Sequence, residues 1–101
     1  MRIVLTTFGN EEDAVRVVRT LVGEKLAACG TMIPGARSIY SWEGAVQDER
    51  EVLVLLKTAA FEPLAKRLGE LHPYETPEIV ALNPAEVSAK YLAWIAASCD
   101  A

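Results

Sequence analysis

The sequence predicts an α+β fold, a ferredoxin-like split βαβ sandwich in the order β-α-β-β-α-β with one further C-terminal helix. Apolar residues recur at helical spacing in three stretches and form strand-like runs in four others, in that order along the chain. A reversal around Gly44, in "SWEGAV", joins two of the strand-like runs directly, so the middle pair is a hairpin and not a crossover. With 101 residues and no linker, repeat or low-complexity tract, residues 1–101 read as a single domain.

Residues 2–8, "RIVLTTF", read as a strand. Asn10 then offers a helix cap, with Glu11, Glu12 and Asp13 in the first turn, where the helix dipole favours anions. Ala14, Val17, Val18, Leu21, Val22 and Leu26 follow at helical spacing. Gly23 costs that helix about 1 kcal/mol relative to Ala, so packing must hold it. Residues 27–42 form a long strand broken at "IPGA", because Pro34 has no N–H for a ladder and marks a bulge or an edge. Residues 46–58 return antiparallel to it. A second helix covers residues 60–71, with Phe61, Leu64, Ala65, Leu68 and Leu71 on one face; Pro63 fits its first turn and Pro73 stops it. Residues 78–82 are the last strand. Residues 86–98 are a third helix with Val87, Tyr91, Trp94 and Ile95 on one stripe.

Right-handed crossovers place the two main helices on the same face of the sheet. Yet "IVL", "VLVLL" and "EIVAL" are apolar on both strand faces, where a face open to water would show polar alternation. The short third helix cannot cover the second face alone. A second copy of the sheet is the remaining cover, so a homo-oligomer is expected, with the long hairpin reaching into a neighbour.

The formal net charge of −4 argues against nucleic acid, which needs clustered Lys and Arg. No apolar run approaches the roughly 20 residues of a membrane span. Met1 runs straight into the first strand without a small-residue cleavage site, and Cys29 and Cys99 make no disulfide framework, so a reduced cytoplasmic protein is expected. There is no Gly-rich phosphate loop, and the single histidine has no nucleophile motif beside it, so no enzyme activity is expected.

The stretches "LAACGTMIPGARSIYSWEGAV", "EVLVLLKT", "LHPYETPEIVAL" and "YLAWI" together resemble the CutA family of divalent-cation tolerance proteins, in order and over nearly the whole chain. The resemblance implies a compact homotrimer with inter-subunit sheet contacts, similar in architecture to the trimeric PII signalling proteins. It also implies a link to copper tolerance and copper binding. Two positions depart from the family pattern: "ACGT" stands where "ACVN" is usual, placing Gly30 and Thr31 there, and Val87 replaces a glycine ahead of "YL".

The only histidine, His72, lies in "HPYETPEI" between two prolines that stiffen the loop. Its ring either caps the second helix against the sheet or ligates a metal. Cys29 is either a small buried apolar residue or a soft thiolate contact for copper. Cys29, His72 and Glu75 form the candidate metal set, without the spacing of a tight zinc site. Of the first two, Cys29 is the favoured copper contact and His72 leans structural. No cofactor is obligatory; copper or another divalent cation is the metal implied. A second reading is a PII-like sensor or scaffold that binds a small metabolite or a partner protein in a cleft between subunits. Tyr40, Trp42, Lys57, Tyr74, Glu78 and Trp94 are the candidate cleft residues. "DERE", Asp48 to Glu51, reads as a solvated or inter-subunit charged segment, and Cys99 as an exposed tail residue.

Overall fold

The computed structural model describes residues 1–99. The elements run β1 (Arg2–Phe8), α1 (Glu11–Gly23), β2 (Cys29–Trp42), β3 (Ala45–Thr58), α2 (Phe61–Leu71), β4 (Val80–Leu82) and α3 (Ala89–Ser98). The four strands form one antiparallel sheet in the order β2-β3-β1-β4. The expected split βαβ topology is therefore the one observed.

Asn10 caps α1 as expected: its side-chain oxygen accepts the Asp13 N–H at 2.8 Å. The helix stops at Gly23, before Leu26, because the chain turns back on itself. Glu24 donates to the Thr20 carbonyl and Leu26 to that of Leu21, with Lys25 in the left-handed region at φ 61°. Leu26 still packs on the core, but from the loop. No side chain caps α2 from Ala60. Thr58, fully buried at the end of β3, instead fixes the turn that leads into α2, accepting the Ala60 N–H at 3.2 Å and donating to the Leu26 carbonyl at 2.7 Å.

The hairpin β2–β3 turns through Glu43 and Gly44, at φ 50° and 80°. Two successive residues with positive φ match the right-handed twist of the strands they join. The register of β2 on β3 shifts between Ile33 and Ala36, at the Pro34–Gly35 bulge that "IPGA" predicted.

Val4 and Phe8 of β1 and Val52, Val54 and Leu56 of β3 meet Ala14, Val17, Val18 and Leu21 of α1 and Leu64 and Leu68 of α2 in one core. Both main helices thus lie on one face. Thr6 sits in that core fully buried, and its hydroxyl has no hydrogen-bond partner among the described residues, which costs about 1–3 kcal/mol.

The alternate residues make the second face. Leu5 lies opposite Leu55 and Val80, and Leu55 opposite Thr31; Ile3 lies opposite Leu82 and Lys57. Val80, Leu82 and Ile33 are nearly half exposed there. Among the described helices, α3 packs on this face, at the Cys29 end, where Tyr91 Oη lies 3.8 Å from Cys29 Sγ. That helix departs from its expected stripe. It starts after Ser88, whose hydroxyl oxygen accepts the Tyr91 N–H. Val87 precedes it, Ile95 alone is buried, and Tyr91 and Trp94 are exposed. A ten-residue helix against one corner of the sheet has no second layer to cover its remaining apolar positions. Cys99 is half-buried, not the exposed tail residue expected.

Candidate functional site

Pro73 ends α2, and His72 becomes its C-terminal cap. The His72 N–H donates to the Leu68 carbonyl at 2.9 Å, and the backbone then turns extended. This carries the imidazole under the end of β1, where it is only 7% exposed and stacks on Phe8 with centroids 4.3 Å apart and planes 13° apart. Nδ1 accepts the Tyr74 N–H at 3.1 Å, so the ring hydrogen sits on Nε2 and is donated to the Thr7 carbonyl at 2.8 Å. Both nitrogens of a neutral ring are thereby engaged. Burial holds the imidazole below its ordinary value, partly opposed by the Thr7 carbonyl.

A stability prediction follows from this placement. The folded chain takes up the proton less readily than the unfolded one. Stability is therefore full above the unfolded value of about 6.5 and falls as pH drops through it towards the lower folded value. His72→Ala is expected to cost about 2–4 kcal/mol, from the lost stacking and the orphaned Thr7 carbonyl. It should also flatten that stretch of the pH profile. Urea melts from pH 5 to 8 on both proteins check it; a profile unchanged by the substitution contradicts the assignment.

Tyr74 extends the chain of contacts outward. Its ring lies 4.7 Å from that of His72, and its hydroxyl donates to Glu51 Oε2 at 2.7 Å. Burial, then this hydrogen bond, raises the phenol far above its usual value, so it stays a donor. Glu51 is 7% exposed. One strand step away, Tyr40 Oη donates to Glu49 Oε2 at 3.0 Å, which raises that phenol too. These groups line a cleft of about 660 Å³ between the hairpin and the loop after α2.

Of the residues picked out from sequence, Tyr40, Trp42, Tyr74, Glu75 and Glu78 all line this cleft. Lys57 and Trp94 do not join them. Lys57 stands opposite both Ile3 and Cys29, where its ammonium donates to Thr31 Oγ1 at 2.7 Å, and Trp94 packs on Tyr91 at 5.8 Å. Within one chain, strand register puts Lys57 at the other end of the sheet from this cleft. Ile3 marks the Lys57–Cys29 end and Thr7 the His72 end. Four residues at ~3.3 Å each separate the two by roughly 13 Å. For the same reason Cys29 and His72 are not brought together within one chain, and Glu75 goes with the His72 end. Among the described residues, no group of three or more His, Cys, Asp or Glu side chains is close enough to hold one metal ion.

Glu49 and Glu51 were missed. Their signal was present: strand alternation from Leu53 and Leu55 puts both carboxylates on the second face, so half of "DERE" points into the cleft instead of at bulk water.

Sheet order, helix placement and the cleft beside the hairpin define a ferredoxin-like α+β protein with an open cleft between its long hairpin and the loop after α2. Residues 2–98 match the family described as CutA1 divalent ion tolerance protein, and the chain belongs to that family. It is 47% identical over 95 residues to the divalent-cation tolerance protein CutA of Thermus thermophilus, covering 92% of each chain. The crystal structure of CutA1 from Pyrococcus horikoshii superposes with a TM-score of 0.95 at 38% identity, covering 100% of both chains. The compartment expectation is corrected by two further relatives. A CutA from Archaeoglobus fulgidus, at 29% identity and a TM-score of 0.92 over 97% of this chain and 98% of its own, is described as periplasmic. The Arabidopsis thaliana protein, 40% identical over 95 residues that are 92% of this chain and 52% of its own, is chloroplastic. Absence of a disulfide framework does not assign a compartment to a fold that needs no disulfide. The family's name speaks of tolerance to divalent ions and of no reaction.

Proposed function

We propose that the chain works as a homotrimer in divalent-cation tolerance, binds divalent cations weakly, copper among them, and catalyses no reaction. The match to the divalent ion tolerance family over residues 2–98 carries this reading. The trimer is supported by the second sheet face, where Ile33, Val80 and Leu82 stand nearly half exposed in the single chain. Copper is supported at Cys29, a half-buried free thiol, because a soft thiolate suits it. His72 already uses both ring nitrogens. Cys29 lies at the other end of the sheet from His72 and Glu75, so a set combining it with either requires groups from different subunits.

Calorimetric titration with copper, cobalt and nickel, together with light scattering, tests this. The expected result is a mass of three chains, copper tightest of the three metals, and copper affinity about tenfold or more weaker in Cys29→Ser but unchanged in His72→Ala. A monomeric mass removes the assembly. Equal affinity in Cys29→Ser removes the copper contact.

A second reading is favoured by the cleft itself: a sensor or scaffold that takes a small molecule beside Tyr40, Trp42 and Tyr74. Its volume, about 660 Å³, is that of a small-molecule site and much more than a single ion needs.

A further inference from the structure

We propose that the cleft binds a small organic cation, an aliphatic amine or diamine, whose ammonium is received by Glu51 and Glu49 while its carbon chain lies against Trp42 and Tyr40. The proposal deepens the small-molecule reading of the cleft and does not rest on copper binding.

Glu51 is the anchor. It is 93% buried, being only 7% exposed, yet no arginine or lysine pairs with it among the described residues. One oxygen accepts the Tyr74 hydroxyl. The other has no hydrogen-bond partner among the described residues, and Glu51 is part of the cleft wall. A buried carboxylate without a cation is costly, and the cost is offset when a charge of opposite sign fills the space beside it.

The surroundings select the sign and the size. Glu49, Glu75 and Glu78 line the same cleft as Glu51, and among the described residues of the chain no lysine or arginine does. The nearest arginines on the hairpin are unavailable. Arg37 is held by both oxygens of Asp48, at 2.8 and 2.7 Å, and Arg50 lies on the other side of the strand from Glu49 and Glu51. Tyr40 and Tyr74 have each committed their only hydroxyl hydrogen to a carboxylate. An anion would therefore meet mostly acceptors. A bare metal ion fits poorly too. Its ligand oxygens must converge to about 2.0–2.6 Å, and no three carboxylates here are close enough. What fits is a cation with length: an ammonium for Glu51 and Glu49, and methylenes for the half-exposed faces of Trp42 and Tyr40, which attract cations as well as apolar surface.

The test is calorimetric titration of the whole protein with 1,4-diaminobutane, and with magnesium and 1,4-butanediol at matched concentrations. Diaminobutane is expected to bind, the diol not to, and magnesium at least about tenfold more weakly. Glu51→Gln keeps the side-chain shape and an oxygen for Tyr74, and is expected to weaken the diamine about tenfold or more. Trp42→Ala, at an exposed position, is expected to weaken it about two- to fivefold. Magnesium binding as tightly as the diamine, or a diamine affinity unchanged by Glu51→Gln, overturns the proposal. Binding of the diol alone overturns it while leaving a small-molecule cleft standing. Heat from none of the three overturns it and removes the support for the small-molecule reading as well.

Discussion

Gly30→Val is expected to destabilise the fold by about 1–3 kcal/mol, the cost of overpacking a filled core. Gly30 lies opposite Leu56 on the helix-covered face of the sheet. A Cβ there would meet Val18 Cγ1 at 2.6 Å, Leu56 Cδ2 at 3.0 Å and Val18 Cγ2 at 3.3 Å. Val18 and Leu56 are both buried, so neither can swing out to solvent. The valine side chain of α1 occupies the space that a side chain on β2 would need. The claim is sharpened by Val18→Ala. Alone, it should cost roughly 1.5–3 kcal/mol through lost burial and a cavity. Combined with Gly30→Val, it should recover most of the loss, giving a coupling of about 0.5–3 kcal/mol in a double-mutant cycle. Denaturant melts of the four proteins measure it. Strictly additive losses would show that the two side chains do not share a space.

Leu55→Asp is expected to abolish the proposed trimer. Leu55 stands mid-sheet on the second face, with Leu5 on one side and Thr31 on the other. In the single chain it is only half-buried, so the monomer tolerates a carboxylate there. A second sheet laid over that face does not, because an unpaired charge in a closed apolar layer costs several kcal/mol and a three-fold assembly repeats the insult in each subunit. Light scattering should give single chains or heterogeneous aggregates in place of one trimeric species. A variant with wild-type mass and wild-type melting would show that this face is not the one covered.

Most of the fold was legible because its signals are local. The Asn10 cap, the Pro34 break, the Gly44 turn and the Pro73 stop each act within a few residues, and each stands where it was read. The third helix was less legible. Its apolar stripe implied a burial that a single chain does not supply for Tyr91 and Trp94. The site divided along the same line. "HPYETPEI" announced itself by its stiffness and by its only imidazole, and it does form one wall of the cleft through Tyr74, Glu75, Thr76 and Glu78. Which hairpin residues face it depended on register. Counting alternation from Leu53 reaches Glu51 and Glu49, whereas Lys57 belongs to the far end of the same strand. Type and spacing marked the residues; only pairing between distant strands could sort them into two ends.

The path from Thr7 through the His72 ring to Tyr74, whose N–H meets the ring and whose hydroxyl meets Glu51, also makes the molecule its own indicator. With one histidine in the chain, its imidazole resonances in a proton spectrum can come from nowhere else, and they arise at the joint between the core and the cleft. A change at Glu51 reaches that ring through a single tyrosine, while a change at Cys29 arrives only through the length of a strand. Occupancy of one end of the sheet is thus distinguishable from occupancy of the other without attaching any label.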